Sequence, residues 1–305
     1  MSTSTHSLPP DVTGNRRASS PTTDQPTTYT RRGKPTGTII QLPGSTTISA
    51  YLSVPPLDQS SSHPSDTAIL FIPDILGIWQ NNQLLADRFA AATGRPVLLP
   101  DLFNGDPFKL RKPFADIEPT DDELTAWVAR GSDGNNPHTT EQVDRVVAAA
   151  IDYLLGSSQH GVVVRRIGAV GYCFGAKYVV RFLGGGASMA DSGGSDNGKE
   201  EKKKKKKGID VGFLAHPSFV TEDELRASRG PLSIAAAETD LIFTVEMRRR
   251  TEEILRERKG GVWSMAVYSG VAHGFAVRGN PEGKLDRWAE EEAFSQAVRF
   301  FATWL

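Results

Sequence analysis

The chain has 305 residues, 38% of them hydrophobic, a length that accommodates one large α/β domain or two small ones. Its formal net charge of −1 argues against a nucleic acid or an anionic membrane as partner, and the absence of an apolar run of about 18 residues argues against a membrane span. The only cysteine, Cys173, excludes an intramolecular disulfide and a cysteine-based metal cluster and is typical of a reducing compartment, so we expect a cytoplasmic location.

The first segment, residues 1–35, is rich in Ser, Thr and Pro and shows no apolar periodicity, which predicts a disordered tail. It contains no apolar core of the kind that a secretory signal peptide has. Its five basic residues leave a transit peptide as the alternative, although no amphipathic helix can be drawn through them. We therefore favour a disordered tail, followed by a single domain over residues 36–305.

After the tail, strand patterns alternate with helix patterns. Residues 38–41 and 47–54 predict an edge hairpin turned at 43–45, and the continuous apolar run 68–72 predicts a buried central strand. A strand, a helix and a second strand in this order are typical of a parallel sheet. The other elements predicted in this half of the chain are a strand at 96–100 and helices at 80–92, 121–130 and 141–155.

A Gly-x-Cys-x-Gly motif at residues 171–175 lies between an apolar strand pattern at 167–170 and a helical apolar face at 176–183. This is the pattern of a nucleophile elbow with cysteine in place of serine. The sharp strand-to-helix turn of an elbow tolerates only small residues two positions before and after the nucleophile. It also places the nucleophile at a helix N-terminus, which favours a thiolate. The alternative is a buried structural Cys173 with glycines nearby by chance.

The segment 184–208 is of low complexity and ends in six consecutive lysines, residues 202–207. A lysine run can be a nuclear localisation signal or an anion-binding patch. Because four acidic residues share the segment and the β/α alternation continues after it, we favour a disordered surface insertion within the domain.

Strand and helix patterns resume after this insertion. Strands are predicted at 211–214, 232–237 and 263–268, and helices at 245–259 and 285–305. The alternation over the whole chain predicts an α/β fold, in which a mostly parallel central sheet is covered by helices on both faces.

Three side chains suited to catalysis follow strands that are predicted to be parallel. Cys173 comes after one strand, Asp240 after the next but one, and His273 after the last. Ligand sites of open α/β sheets lie at the carboxyl ends of the strands, and the order nucleophile, acid, histidine is that of α/β-hydrolases. This order predicts that Cys173 attacks an acyl carbon, His273 transfers the proton, and Asp240 orients the imidazole.

Other residues compete for two of these positions. His216 also follows a predicted strand, but only His273 follows the last strand, where this order requires the histidine. Glu238 is a second carboxylate close to Asp240, and Asp240 itself could cap the helix predicted from residue 245. We favour Asp240 and His273 because both occur in the required order at matching strand ends.

The chain resembles the dienelactone hydrolase family of the α/β-hydrolase superfamily over about residues 38–305, apart from the lysine-rich insertion. Cysteine instead of serine in the elbow makes the resemblance specific. The tail, the insertion and an aspartate at position 74 are similar to fungal members of the family. The segments that carry the resemblance are 171–176, 238–240, 272–275, 73–77 and 100–103.

The resemblance implies hydrolysis of enol lactones without a metal or other cofactor. In the family a glutamate interacts with the resting thiol and helps to form the thiolate, and the matching residue here is Asp74, one methylene shorter. An oxyanion hole is implied at the backbone N–H groups of Ile75 and Phe174. Bacterial members bind the substrate carboxylate with arginines; Arg278 lies one position beyond the matching Val277, and the alternative is that it points to solvent.

We therefore expect a metal-independent cysteine hydrolase of a lactone or small carboxylic ester, with no cofactor, acting as a monomer or weak homo-oligomer. One alternative is a thioesterase or transacylase in secondary metabolism that uses the same three residues. The other is a hydrolase-fold protein that binds a ligand or partner, with the lysine run as its contact, and catalyses nothing.

Overall fold

The computed structural model describes residues 29–43, 48–55, 66–111, 120–159, 162–185, 208–258 and 261–305. Most of the predicted tail, most of the predicted insertion with its lysine run, and most of the predicted hairpin turn lie outside the described residues. The described residues form an eight-stranded sheet and a separate two-stranded one.

The described residues form ten strands and eight helices. The strands are β1 (Thr38–Leu42), β2 (Ile48–Ser53), β3 (Thr67–Ile72), β4 (Val97–Pro100), β5 (Ser158–Gln159), β6 (Val162–Val163), β7 (Arg166–Tyr172), β8 (Val211–Ala215), β9 (Leu232–Thr239) and β10 (Trp263–Ala272). The helices are α1 (Gln80–Thr93), α2 (Asp122–Arg130), α3 (Thr140–Gly156), α4 (Gly175–Phe182), α5 (Glu222–Ala227), α6 (Val245–Glu257), α7 (Phe275–Arg278) and α8 (Lys284–Trp304).

The large sheet has the strand order β1-β2-β4-β3-β7-β8-β9-β10. Strand β2 pairs antiparallel with both β1 and β4, and all pairs from β4 to β10 are parallel. Parallel strands end at the same edge of a sheet, so the segments that follow β3, β7, β8, β9 and β10 meet there. The predicted mostly parallel sheet is confirmed.

The central strand β3 shows why both faces of the sheet are covered. All six of its residues are buried, and successive side chains point to opposite faces. Ile69 and Phe71 pack with residues of α1 and α8, whereas Leu70 and Ile72 pack with residues of α3 and α4. Each fully buried side chain of this size stabilises the fold by about 1.5–3 kcal/mol.

The predicted elements are all present, and almost all of their ends agree with the structure within two residues. The exception is β10, which continues to Ala272 instead of ending at residue 268. Helices α5 and α7 and the short β5–β6 pair were not predicted. None of the described helices is both long and apolar enough to cross a membrane.

Candidate active site

Cys173 lies in the turn between β7 and α4, the position expected for the nucleophile of an elbow. Its backbone φ is +51°, a conformation that is uncommon for residues other than glycine. A Cβ atom at Gly171 would lie 2.7 Å from Val179 Cγ2, and one at Gly175 would lie 2.6 Å from the carbonyl carbon of Ile72. The two glycines of the motif are therefore required by close packing of α4 against β3 and β7.

His273 follows β10 and its imidazole is paired with Asp240, which follows β9. Nδ1 of His273 lies 2.9 Å from Oδ2 and 3.0 Å from Oδ1 of Asp240. Oδ1 of Asp240 also accepts hydrogen bonds from the N–H groups of Ile242, at 2.8 Å, and Phe243, at 2.9 Å. Burial raises the pKa of Asp240, but His273 and these two N–H groups together hold it below its ordinary value.

The structure assigns the cap of helix α6 to another residue and gives Glu238 a contact of its own. Helix α6 is capped by Thr244, whose hydroxyl accepts a hydrogen bond from the N–H of Met247. The alternative of Asp240 as the helix cap is therefore wrong. Glu238 is exposed, and its carboxylate accepts a hydrogen bond from the N–H of Gly270 at 2.7 Å.

The thiol of Cys173 and the imidazole of His273 shift each other's protonation. Burial raises the pKa of Cys173, but the charge and hydrogen bond of His273 and the charge of Arg278 bring it below its ordinary value. Burial lowers the pKa of His273, but the thiolate of Cys173 and the carboxylate of Asp240 raise it to about 9. Both shifts favour a thiolate–imidazolium pair at neutral pH.

Ser218, which follows β8, contacts both members of this pair. Its hydroxyl donates a hydrogen bond to Sγ of Cys173 at 3.3 Å and lies 3.4 Å from Nε2 of His273. Its backbone N–H donates to the carbonyl oxygen of Cys173 at 3.0 Å. The sequence gives one signal for Ser218, its position just past the carboxyl end of a parallel strand, and we did not predict it.

His216 lies in the same segment as Ser218, but within the part of the chain that the structure describes it lacks the carboxylate partner and the hydrogen bond to the thiol that a catalytic base needs. Its ring is fully buried, and neither ring nitrogen has a hydrogen-bond partner among the described residues. The ring packs against His273 with 4.9 Å between the ring centroids. Burial, followed by the charges of His273 and Arg278, lowers the pKa of His216 well below its ordinary value, so this imidazole is neutral.

Asp74 and Arg278 form an ion pair beside the thiol, although we expected them to contact the thiol and the substrate, respectively. Both side chains are buried, so the alternative in which Arg278 points to solvent is wrong. The Asp74 carboxylate also accepts hydrogen bonds from Nδ2 of Asn82 at 3.0 Å and from the N–H of Leu76 at 3.1 Å. Cys173 is not among its hydrogen-bond partners in the described residues.

The two N–H groups expected to form the oxyanion hole are available. Among the described residues, neither the N–H of Ile75 nor that of Phe174 has a hydrogen-bond partner. The Phe174 ring is held by aromatic neighbours on the loop after β4 and on α2, with 5.5 Å to the Phe103 centroid and 6.2 Å to that of Trp127. Unpaired donors beside a nucleophile can bind a developing oxyanion.

The described residues contain no group of three or more His, Cys, Asp or Glu side chains that could hold a metal ion. Two carboxylates at the site are engaged in ion pairs, Asp240 with His273 and Asp74 with Arg278. The arrangement is suited to covalent acyl transfer, because it combines a nucleophile, a proton carrier and N–H groups that can donate to an oxyanion.

Comparison with known proteins points to one family. The sequence profile described as the dienelactone hydrolase family matches residues 50–305. Hydrolase tropI of Talaromyces stipitatus is 38% identical over 276 residues, which cover 90% of this chain and 92% of that protein. Hydrolase pyvD of Aspergillus violaceofuscus is 37% identical, covering 85% and 87%, respectively. Dienlactone hydrolase 1 of Gibberella moniliformis is 30% identical, covering 90% of each chain.

Solved structures share the fold at low sequence identity. An esterase of the planctomycete Thermogutta terrifontis superposes with a TM-score of 0.58 at 15% identity, covering 88% of this chain and 94% of the esterase. A dienelactone hydrolase-like promiscuous phosphotriesterase from metagenomic libraries gives 0.57 at 15% identity, covering 88% and 98%. The likeness concerns the fold and confirms the predicted α/β-hydrolase architecture.

Proposed function

The chain belongs to the dienelactone hydrolase family, and from this premise we propose that it is a carboxylic ester hydrolase that cleaves a lactone or small ester through a thioester on Cys173. No metal takes part in the proposed reaction. The observation that carries the proposal is the meeting of the elbow thiol with the His273–Asp240 pair at one edge of the sheet. These groups lie in the order and arrangement that nucleophilic acyl transfer needs.

In the first half-reaction the Cys173 thiolate attacks the carbonyl carbon of the ester. The carbonyl oxygen becomes an oxyanion, to which the N–H groups of Ile75 and Phe174 donate hydrogen bonds. When the tetrahedral intermediate collapses, the bond to the leaving oxygen breaks, and the His273 imidazolium gives its proton to that oxygen. The products are a thioester on Cys173 and, for a lactone, a hydroxyl or enol group that stays attached to the acyl chain.

In the second half-reaction water attacks the thioester. Neutral His273 takes a proton from the water, and Asp240 keeps the imidazole oriented and stabilises the imidazolium that forms. Collapse of the second tetrahedral intermediate releases the carboxylic acid, which loses its proton to solvent, and returns Cys173 as a thiolate beside imidazolium. The cycle restores the resting protonation that the pKa shifts of Cys173 and His273 favour.

We assign Arg278 to the substrate carboxylate and Asp74 to modulation of the thiol. Their present ion pair supports a linked role, because a substrate carboxylate that binds Arg278 competes with Asp74 for the guanidinium. The negative charge of Asp74 raises the pKa of Cys173, and the positive charge of Arg278 lowers it. The pair therefore sets how readily the thiolate forms.

The test is a hydrolysis screen with purified wild type and Cys173→Ala on enol lactones, aryl esters such as p-nitrophenyl acetate, and acyl thioesters. We expect turnover of lactones or esters that Cys173→Ala abolishes and that a metal chelator leaves unchanged. Undiminished turnover by Cys173→Ala contradicts the proposal. If only acyl thioesters are turned over, the protein is a thioesterase and the proposed ester hydrolase activity is wrong.

A further inference from the structure

The segment between β8 and α5 turns back toward the elbow and places Ser218 in contact with both the thiol and the imidazole. We propose that Ser218 is a fourth catalytic residue, whose hydroxyl donates a hydrogen bond to the Cys173 thiolate while it accepts one from the imidazolium of His273. The proposal rests on the proposed function, because it assigns Ser218 a part in keeping the nucleophile of that reaction ionised.

The distances fit both hydrogen bonds at once. Oγ of Ser218 lies 3.3 Å from Sγ of Cys173 and 3.4 Å from Nε2 of His273. A hydroxyl has one proton to donate and lone pairs to accept with, and an imidazolium offers Nε2–H as a donor. Two proton arrangements satisfy both contacts: thiolate, hydroxyl and imidazolium in a row, or thiol, hydroxyl and neutral imidazole with both bonds reversed. The lowered pKa of Cys173 and the raised pKa of His273 favour the first arrangement.

The backbone around Ser218 is held in unusual conformations. Four described residues other than glycine have a positive φ: Asn104, Cys173, His216 and Phe219. Three of them are Cys173 and two residues near Ser218, His216 two positions before it and Phe219 directly after it. Such conformations cost free energy and persist where the surrounding structure enforces them, most often at functional sites. The same kind of strain therefore positions Ser218 and the thiol that it contacts.

Contacts from two helices fix this segment. Nζ of Lys177, on α4, donates hydrogen bonds to the carbonyl oxygen of Phe219 at 3.1 Å and to Oε1 of Glu224 at 2.6 Å. Glu224 belongs to a capping box with Thr221 at the start of α5. The elbow helix that follows Cys173 is thus tied directly to the segment that carries Ser218.

Among the groups facing the thiol, His273 also forms a hydrogen bond with Cys173, and the bond from Ser218 adds to it. The charged groups are His273 after β10, Arg278 on α7 and Asp74 after β3, and Asp240 after β9 acts on the imidazole. His216, on the same segment as Ser218, is buried and neutral, and its ring makes no hydrogen bond with the described residues. Of the described side chains at the site, Ser218 alone is a neutral donor to Sγ.

The direct test measures the ionisation of Cys173, which is the only thiol in the chain. The rate of iodoacetamide alkylation is followed against pH for wild type and Ser218→Ala. Loss of a hydrogen bond to an ionised group raises the midpoint of the alkylation-rate profile by about one to two pH units, and at pH values below both midpoints it slows alkylation roughly 10- to 100-fold. The acid limb of kcat/KM shifts upward by the same amount.

Two matched variants accompany this measurement. Ser218→Thr keeps the hydroxyl and is expected to keep the midpoint near that of wild type. Ser228→Ala removes another buried hydroxyl, one that donates to the carbonyl oxygen of Leu225 at 2.8 Å away from the site, and is expected to leave the midpoint unchanged. A folded Ser218→Ala with an unchanged or lower midpoint overturns the proposal.

A second measurement keeps the proposal testable if Ser218→Ala does not fold. In a crystal structure of the wild type at neutral pH, we expect Oγ of Ser218 within about 3.5 Å of both Sγ and Nε2. A hydroxyl turned away from Sγ overturns the proposal. Because neither the alkylation rate nor the crystal structure uses turnover, failure of the proposed function, seen as full activity of Cys173→Ala, is separate from failure of this inference.

Discussion

The guanidinium of Arg278 is ion-paired with the carboxylate of Asp74, and both side chains are buried. The pair joins α7, which begins two residues after His273, to the turn that carries Ile75. Two elements of the candidate site are thereby fixed to each other by opposite charges in a region of low dielectric. Removing either charge leaves the other buried without this countercharge.

Substitutions of Arg278 and Asp74 are expected to have non-additive effects on the free energy of unfolding. Arg278→Met leaves the Asp74 carboxylate buried without its countercharge, so we expect the free energy of unfolding to fall by about 3–5 kcal/mol. Adding Asp74→Asn to Arg278→Met removes that uncompensated charge and restores part of the loss. Urea denaturation of the two single variants and the double variant measures the coupling.

A surface arginine provides the control for this cycle. Arg250 pairs with Glu222 and Glu253 on the exposed side of α6, so Arg250→Met is expected to cost much less than Arg278→Met. Equal losses for the two arginine variants, or strict additivity of Arg278→Met and Asp74→Asn, contradict a buried ion pair.

The acid that orients His273 can be identified by comparing two neighbouring carboxylates. Asp240→Asn removes the charge 2.9 Å from Nδ1 and leaves an amide that can stabilise the wrong tautomer, so we expect kcat to fall roughly 10²- to 10⁴-fold. Glu238→Gln changes an exposed carboxylate that contacts Gly270 and is expected to leave kcat within about twofold of wild type. Steady-state kinetics of both variants on one ester measure the two effects. A larger loss of kcat in Glu238→Gln than in Asp240→Asn contradicts the assignment of Asp240 as the orienting acid.

The pH dependence of kcat/KM is expected to be bell-shaped. Activity falls on the acid side as the thiolate of Cys173 gains a proton, at a pH below the ordinary thiol value. It falls on the alkaline side near pH 9, because His273 then loses the proton that the leaving group needs. Asp240→Asn is expected to move the alkaline limb to lower pH, since the carboxylate helps to raise the pKa of His273. If the alkaline limb does not move in Asp240→Asn, the Asp240 carboxylate does not raise the pKa of His273, and the prediction is contradicted.

The elbow glycines are expected to be intolerant of a single methyl group. In Gly175→Ala the new Cβ would lie 2.7 Å from the carbonyl oxygen of Pro73 and 2.6 Å from the carbonyl carbon of Ile72, and this backbone cannot yield without moving β3. We expect a loss of about 3 kcal/mol in the free energy of unfolding, together with loss of activity.

Gly156→Ala is the matched control, because a Cβ at Gly156 meets nothing within 4 Å and this residue ends α3. Its stability is expected to stay the same or to rise slightly, as alanine favours helix over glycine. Thermal and urea unfolding of both variants test the contrast, and a harmless Gly175→Ala contradicts the packing argument.

The alternation of strands and helices could be predicted because the parallel strands are continuous apolar runs and the helices have apolar faces. Such patterns are weaker where strands leave the core. Strand β10 continues past two exposed residues, Ser269 and Gly270, to Ala272. The pairing of Ala272 with Thr239 on β9 includes this end in the sheet. Helix α5 has six residues, too few for a periodic pattern, although the capping box of Thr221 and Glu224 was a readable signal.

Chain order and strand ends were enough to predict that Cys173, Asp240 and His273 lie close together. The partners of Asp74 and Arg278 were not predictable, because the two residues are 204 positions apart and one sequence contains no record of such a contact. Ser218 was missed for a related reason: its contact with Cys173 depends on the turn of the β8–α5 segment toward the elbow, and a serine after a strand is too common to single out.

The central claim is that acyl transfer passes through Cys173, and the most direct measurement is mass spectrometry of protein quenched with acid during turnover of an activated ester. In the wild type we predict a mass increase equal to the acyl group, located on the one peptide that contains a cysteine. In Cys173→Ala we predict neither the adduct nor turnover. An acyl group on another residue, or turnover by Cys173→Ala at the rate of the wild type, contradicts the claim.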